Sequence, residues 1–478
     1  MARAGARTEP ASEDTAMPPH PIDIDEPKLL RALDAVMPRV ADLFDRTRAA
    51  SAHRDAAATT APATSPAPTS PADPASLDTH AAGVSRPPYS EAEQRVADLL
   101  TEHARDLHLE CRVDAYGNGY YTLPGRDREA PGWLCGSHID SVPRGGHYDG
   151  LAGVIAGLAA VAAMREAGAV PAVDVTVMAV RSEEASAWYA GVHGGHIGSR
   201  AALGLLPRGE LDSAVDSRTG RTLAEQMRLA GFDPDAVGRG DPVLQAARWR
   251  GWLELHIEQG PVLETDGHPV GIVTAIRGAT RARDCRALGE WTHSGAVPHE
   301  LRHDALLGAT ALVQSLAREA AAARAAGDDL TFTVGRFGTE AAEHSITKVP
   351  GRVDFCLEFR SQSRAVMERM SALAHEQAAA VGSEWRMQFD LGTFSLQEPA
   401  PMCPRLQASM AEGARALGID AVPIASGAGH DAQDFVHAGF PAAMIFVRNA
   451  NGSHNPREAM DLDDFRLGTA LLAWQLMR

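Results

Sequence analysis

The stretch GSHIDSVPRGGHYDG, residues 136–150, follows the apolar run Trp133-Leu134-Cys135 and precedes a helical pattern that starts near Leu151. A strand therefore delivers a histidine and two aspartates to a loop at its carboxyl end, where open α/β sheets place their sites. Histidine and carboxylate are the ligands of hydrolytic metals such as zinc. We therefore predict that His138 and Asp149 are metal ligands.

Asp140 has a different expected role. It lies two residues after His138, on the same side of an extended chain, where it can accept the second ring N–H and fix the tautomer. The alternative for the whole stretch is a polar surface loop, since Gly, Ser, Asp and Pro are ordinary turn residues.

Composition limits the classes of function. A chain of 478 residues, 45% of them hydrophobic, is expected to form two or three globular domains. Its net charge is −17, and it has no block of Lys or Arg, which makes nucleic acid and anionic membranes poor partners. A small anionic substrate remains possible if local cations receive it.

The cysteines and the hydrophobic segments indicate the compartment. The five cysteines are scattered and never form a C-x-x-C pair, which favours a reducing, cytoplasmic environment. No signal or transit peptide is recognisable. The most apolar helical segment, 151–163, is too short to span a membrane.

Residues 1–85 are predicted to be an N-terminal extension. They contain one amphipathic pattern, 26–48, and a segment, 56–76, that is almost wholly Ala, Thr, Pro, Ser and Asp. Such a composition is typical of a flexible tether. We expect the globular body to begin near residue 86 and to fold without the first 80 residues.

Three further strands are predicted to end in histidine or carboxylate. The β-branched run 173–180 leads into Glu183 and Glu184, 252–258 carries His256, and 442–447 leads to His454. Adjacent carboxylates point in different directions, so one can bind metal while the other faces the substrate water. A solvated acidic loop is the alternative for Glu183 and Glu184.

The pattern changes between residues 277 and 391. The predicted order of elements there is β-α-β-β-α-β, which is typical of a ferredoxin-like α+β domain. Segments 86–276 and 392–478 flank it and are predicted to form one α/β catalytic domain with a central mixed sheet flanked by helices. The chain has no P-loop and no G-x-S-x-G, and its glycines miss the dinucleotide-binding spacing.

Together these segments resemble the M20 group of di-metal amidohydrolases and peptidases. The branch they resemble is that of hydantoinases and carbamoylases, which contains N-carbamoyl-L-amino acid hydrolases, β-ureidopropionases and allantoate amidohydrolases. The resemblance runs from about Gly83 to the C-terminus. It rests on GSHID at 136–140, GGHYDG at 145–150, EE at 183–184, HIEQGP at 256–261, HSGAVP at 293–298, SGAGHDA at 426–432 and SHNP at 453–456.

The resemblance implies a centre of two divalent metal ions, with zinc first and Mn, Co or Ni as alternatives. One ion would be held by His138 and His256 and the other by Glu184 and His454, with Asp149 bridging them. Glu183 would be the general base for hydrolysis of a C–N bond. The resemblance also implies a cis peptide bond after Asp149.

The resemblance carries over to the substrate pocket in part. Arg360 would grip the substrate carboxylate, Gln259 would lie near the ureido group, and Gly427 would also contact substrate. His344 stands where many relatives have an asparagine that binds the carboxylate. Ala187 and Trp188 stand where the common pattern is Arg-Phe, so these three positions leave the identity of the substrate open.

The inserted domain would be a lid through which two subunits form a homodimer. By resemblance, His293 then reaches over the partner's site. The alternatives are an allantoate amidohydrolase, an aminoacylase or dipeptidase of the wider family, and a binding protein without catalysis. All six predicted metal and base positions are present, which argues against the last.

Overall fold

The computed structural model describes residues 26–51, 83–192, 194–239 and 242–478. In chain order its strands are β1 (Glu110–Val113), β2 (Gly119–Leu123), β3 (Gly132–His138), β4 (Val175–Val180), β5 (Tyr189–Ala190), β6 (Val215–Asp216), β7 (Trp249–Ile257), β8 (Val270–Ile276), β9 (Gly278–Leu288), β10 (Thr292–His293), β11 (Thr331–Thr333), β12 (Phe337–Thr339), β13 (Lys348–Val349), β14 (Arg352–Ser361), β15 (Gln388–Asp390), β16 (Ser395–Gln397), β17 (Ala400–Pro401), β18 (Ala421–Ser426), β19 (Ala442–Val447), β20 (Asn449–Ala450) and β21 (Ala459–Met460). Its helices are α1 (Glu26–Ser51), α2 (Glu91–Asp106), α3 (Leu151–Glu166), α4 (Ile197–Ala202), α5 (Glu210–Ser213), α6 (Leu223–Leu229), α7 (Val262–Asp266), α8 (Ala305–Ala325), α9 (Arg364–Trp385), α10 (Pro404–Leu417), α11 (Asp431–His437) and α12 (Leu462–Leu476).

A nine-stranded mixed sheet forms the centre of the molecule, in the order β1-β2-β4-β3-β7-β19-β8-β17, with β18 paired to β8. Its four middle strands, β4, β3, β7 and β19, are parallel neighbours. These are the strands predicted to end in histidine or carboxylate. Because parallel neighbours end at one edge of the sheet, this order brings all four strand ends together. The predicted mixed α/β architecture is confirmed.

Helix α3 explains how one face of the sheet is covered. It is apolar on every side, and 14 residues from Leu151 to Met164 are buried. One side of such a helix can pack on the sheet, but its opposite side must also be buried against other apolar residues. Helices α1 and α12 supply that cover, and both contact α3.

The N-terminal helix therefore differs from its expected role. Its predicted existence is confirmed, but it is no detached extension, because Leu33, Val36, Val40, Leu43 and Phe44 are buried in the main hydrophobic core. The expectation that the body folds without residues 1–80 does not fit this packing. The predicted tether at 56–76 lies outside the described residues.

A second, six-stranded antiparallel sheet lies between β8 and β17 in the chain. Its order is β11-β14-β9-β15, with β12 paired to β14 and β16 paired to β9. Helices α8 and α9 pack on it around a separate hydrophobic core. The connections match the predicted β-α-β-β-α-β order, with the two short strands β11 and β12 in the place of one predicted strand.

Within the described residues, no helix is both long enough and apolar enough to cross a membrane.

Candidate metal centre

The loop after β3 begins with a fully oriented histidine. His138 is buried, and its Nδ1 lies 3.2 Å from the carbonyl oxygen of Asp140 and 3.4 Å from its carboxylate. A proton on Nδ1 satisfies both oxygens and leaves the Nε2 lone pair for a ligand. Asp140 also has a task that the sequence did not indicate, since its carboxylate accepts the backbone N–H groups of Glu183 and Glu184 at 3.0 and 2.9 Å.

His256, at the end of β7, is fixed in the same tautomer. Its Nδ1 donates to the carbonyl oxygen of Ile257 at 2.8 Å. Its Nε2 accepts the backbone N–H of Gly150 at 3.1 Å. The ring is completely buried, so the protein, and not water, determines where this lone pair points.

Asp149 lies at the centre of the cluster. Its Oδ1 is 3.5 Å from Nε2 of His138 and 3.2 Å from Nε2 of His256. Its Oδ2 is 3.3 Å from Nε2 of His454, whose Nε2 is also 3.0 Å from Glu184. The predicted ligands therefore lie in two groups that share Asp149, and within each group the ligand atoms lie within 4.8 Å of one another.

The donor set fits cations. Asp149 Oδ1 is buried and has no hydrogen-bond partner, although two imidazole nitrogens lie close to it. Ligand atoms that surround one point without bonding one another leave a place for a positive ion. Two histidines with a carboxylate, and one histidine with two carboxylates, are ordinary ligands for zinc and related divalent metals.

Gly150 allows the close approach of these groups. It has φ +67°, and a Cβ there would lie 2.3 Å from the His138 ring, so any other residue would displace the histidine. The expected cis peptide bond after Asp149 is not found, because the described residues contain only trans bonds. The change of direction is made at Gly150 by its positive φ instead.

Two further side chains, which sequence reasoning did not single out, hold Asp149 from behind. The hydroxyl of Ser453 lies 2.5 Å from Asp149 Oδ2 and 2.6 Å from Glu458, and it donates its one hydrogen to one of these two carboxylates. Glu458 accepts the backbone N–H groups of Tyr148 and Asp149 at 2.8 and 3.2 Å. Glu458 has no motif around it, so only the folded structure reveals its role.

Glu183 has a buried partner that was also missed. Nε2 of His196 lies 3.0 Å from Glu183 Oε1, and Nδ1 of His196 lies 2.7 Å from Asp434. Glu183 also lies close to His138 and Glu184, so by distance alone it could be a ligand as well as a base. No sequence motif links His196 to Asp434, which is 238 residues further along the chain.

The charges in the centre stabilise one another. Burial by itself would raise the pKa of Asp149, but the nearby imidazoles of His138, His256 and His454 outweigh burial and hold that pKa well below its usual range. Bonds to Asp149 and Glu184 raise the pKa of His454 to about 10. The Asp149 carboxylate is therefore kept ionised, as a metal ligand must be, whereas burial and the neighbouring Glu183 raise the pKa of Glu184 to about 7.

The predicted substrate residues fall into two groups. Arg360 donates to the carbonyl oxygen of Gly427 at 2.9 Å, so these two residues lie side by side. Gln259 donates to Asp149 Oδ2 at 2.8 Å and therefore borders the metal centre. His293 and His344 are exposed. His293 accepts the N–H groups of Gly295 and Ala296 in its own turn, whereas His344 bonds to Thr339 at 2.6 Å.

The unusual Trp188 is anchored beside the centre. Its indole N–H donates to the carbonyl oxygen of Ser141 at 2.7 Å, and the guanidinium of Arg218 lies 4.5 Å from the ring centroid. Trp188 is buried with Ala185 and Tyr189 in a cluster of its own. The residue that replaces the common Phe therefore packs under the loop that carries Asp140.

Comparisons with known proteins identify the family of the chain. The model of peptidase family M20/M25/M40 matches residues 134–477. An N-carbamoyl-L-amino-acid amidohydrolase of Paenarthrobacter aurescens is 34% identical over 395 residues, which cover 82% of this chain and 92% of the relative. The allantoate amidohydrolase of Escherichia coli is 30% identical over 403 residues, which cover 83% of this chain and 93% of the relative.

Solved structures share the fold. A putative amidohydrolase/peptidase from Burkholderia cenocepacia has a TM-score of 0.77 at 29% identity, covering 92% of this chain and 97% of that one. An amidase of the hydantoinase/carbamoylase family from Burkholderia multivorans has the same TM-score at 25% identity, with the same coverage.

Proposed function

The chain belongs to peptidase family M20/M25/M40, and on that premise we propose that it hydrolyses the C–N bond of an N-carbamoyl (ureido) L-amino acid or a related ureido acid. It is an amidohydrolase of ureido acids, and its family is metal-dependent. The observation that carries the proposal is the pair of ligand groups that share Asp149, with Glu183 beside them.

The ligand assignment follows from that pair. His138 and His256 would hold one divalent ion, and Glu184 and His454 the other, with Asp149 between them. Zinc fits the donor set first, and Mn, Co or Ni are the alternatives. When bound, two such ions polarise the scissile carbonyl and lower the pKa of the attacking water.

Glu183 is the general base of the proposed reaction. Its carboxylate takes the proton of the attacking water and passes it to the leaving nitrogen, while the C–N bond breaks and a C–O bond forms. Asp140 supports this role by accepting the backbone N–H groups of Glu183 and Glu184. These bonds fix the backbone from which the two glutamate side chains point in different directions.

Arg360 is the proposed anchor of the substrate carboxylate. Its guanidinium is already oriented by two bonds to Glu358, at 2.9 and 3.1 Å, and by its bond to Gly427. An oriented guanidinium can offer a carboxylate two parallel N–H bonds. Gln259, Gly427 and His344 complete the proposed substrate set, with Gln259 nearest the ureido group.

We also propose that residues 277–391 act as a lid and as the dimer interface. His293 would then donate a hydrogen bond to the oxyanion in the partner's site, and a two-fold interface would complete both sites at once. Its exposed position supports a partner outside its own turn. The five cysteines form no disulfide, which supports the proposed cytoplasmic location.

A substrate panel tests the proposal. Ammonia and amino-acid release would be measured from N-carbamoyl, N-formyl, N-acetyl and dipeptide substrates and from allantoate, after reconstitution with Zn, Mn, Co or Ni. We expect release from N-carbamoyl L-amino acids and none from their D-enantiomers. Turnover of N-acetyl or dipeptide substrates alone would contradict the proposal and favour an aminoacylase or dipeptidase, while turnover of allantoate alone would identify the ureido acid.

A further inference from the structure

His196 lies between two buried carboxylates and has no part in the assigned set of ligands. It is buried, immediately precedes α4, and contacts Glu183 with Nε2 and Asp434 with Nδ1. A carboxylate can only accept a hydrogen bond, so both ring nitrogens must donate for both contacts to hold. The ring is then fixed at both ends.

We infer that His196, held by Asp434, is a positioning residue that sets the direction of the Glu183 carboxylate. The inference rests on the proposed role of Glu183 as the base, and it adds a residue pair to that role. It does not depend on which acyl group the substrate carries.

The backbone brings His196 to this place. Its N–H donates to the carbonyl oxygen of Glu183 at 2.8 Å, so the two residues are joined by backbone as well as by side chain. Gly195 makes the approach possible, since it has φ +74° and a Cβ there would lie 2.4 Å from the Glu183 carbonyl oxygen. The contact is therefore built into the loop.

Asp434 lies on α11, and a second bond joins this helix to α4. Asp431 of α11 accepts the hydroxyl of Ser199 on α4 at 2.6 Å. Two buried hydrogen bonds thus connect α4 and α11 next to the base. Burial by itself would lower the pKa of His196, but Asp434 and Glu183 raise it well above its usual range, in agreement with a doubly donating ring.

This arrangement has a chemical consequence. His196 engages Oε1 of Glu183, so Oε2 can take the proton of the attacking water. The protonated carboxyl then faces a cationic ring, which favours its ionised form and therefore the transfer of the same proton to the leaving nitrogen. One proton moves from water to Oε2 to nitrogen, and His196 keeps its own protons.

A double-mutant cycle tests the inference. His196→Phe keeps the ring but removes both hydrogen bonds, and we expect kcat to fall about 10–100-fold, the usual range for supporting residues, with KM within about twofold and metal content unchanged. In the Glu183→Gln background, His196→Phe should cause no further loss, because it acts through the missing carboxylate. Losses that multiply would overturn the inference.

The test includes a matched control and a second variant for the case that His196→Phe does not fold. His268 forms a similar pair with Asp420, at 2.8 Å, on the surface, so His268→Phe should leave kcat unchanged. If His196→Phe is insoluble, Asp434→Asn gives the same cycle with a smaller change in shape. An undiminished kcat in Asp434→Asn would overturn the role of that aspartate.

A measurement without metal or substrate separates this inference from the proposed function. In metal-free protein labelled with ¹⁵N-histidine, His196, assigned by its loss in His196→Phe, should show two protonated ring nitrogens at neutral pH. Asp434→Asn should change that signal, and a ring with one protonated nitrogen in the wild type would contradict the inference. If the substrate panel identifies dipeptides as the substrates, the double-mutant cycle is run with a dipeptide. Failure of the proposed function can then be distinguished from failure of the inference about His196.

Discussion

The metal centre and the segment 277–391 hold their polar residues in opposite ways. At the centre, Asp149, His256 and Glu183 are buried, and each is fixed by partners from distant parts of the chain. In the second region, His293 and His344 are exposed and bond only within their own segments. The residues of the centre are therefore held in place within one subunit, whereas His293 and His344 are free to contact a substrate or a second subunit.

The largest effect is expected when the carboxylate that both ligand groups share is removed. Asp149→Asn should lose both metal ions and reduce turnover to background, because an amide is a poor bridge between cations. Metal content by mass spectrometry and kcat would be measured together, with the surface carboxylate variant Asp420→Asn as control. Retention of two ions would mean that Asp149 is not the bridge.

The next largest effect separates the base from the ligands. Glu183→Gln should keep two metal ions yet lose about 10²–10⁴-fold in kcat, the range that general bases supply. Loss of a metal ion in this variant would show that Glu183 and Glu184 have exchanged roles. That outcome is open by distance alone, since both side chains lie near His138.

The second region is tested by subunit mixing. His293→Ala should lower kcat by about 10²–10³-fold if the ring binds the oxyanion, an interaction of ~3–4 kcal/mol. Mixing it with Glu183→Gln should produce heterodimers with one intact site and restore up to about half of the wild-type activity per heterodimer. No recovery under proven subunit exchange, or an active monomer in sedimentation, would place His293 in its own subunit's site or outside catalysis.

A smaller effect is expected at the border between the two regions. Arg360→Lys should raise KM about tenfold with kcat nearly unchanged, because lysine cannot form the paired bonds of a guanidinium, worth about 1.5 kcal/mol. Arg352→Lys, on the same strand and paired with Asp354 at 2.8 Å, is the matched control. Equal kinetics of the two variants would exclude Arg360 as the carboxylate anchor.

The smallest effect on turnover is expected behind the metal loop. Phe44 of α1 packs edge-on against the rings of His147, Tyr148 and Phe465, so Phe44→Ala should lower the free energy of unfolding by about 3–5 kcal/mol. The kcat of the folded fraction should change little, because Phe44 is not a ligand. Arg39→Ala, an exposed change on the same helix, should alter stability by less than about 0.5 kcal/mol.

An unchanged free energy of unfolding in Phe44→Ala would show that α1 does not stabilise the globular body. Urea titration in the presence of saturating metal keeps metal loss from being read as unfolding. The same measurement on a chain without residues 1–51 would give the contribution of the whole helix.

The mixed α/β architecture could be predicted from the amino-acid sequence alone, and so could the β-α-β-β-α-β order of elements between residues 277 and 391. The sequence also indicated that His138, Asp149, Glu184, His256 and His454 share one edge of a sheet. Local pattern was enough, because buried parallel strands are recognisable from apolar runs, and their carboxyl ends must converge.

The groups that support the residues at that edge are visible only in the folded protein. Contacts between distant segments account for the docking of α1 on α3, the His196–Asp434 pair and the hold of Glu458 on the Asp149 loop. Such contacts depend on how apolar faces pack and on which buried polar groups need partners. Neither is written in the spacing of neighbouring residues.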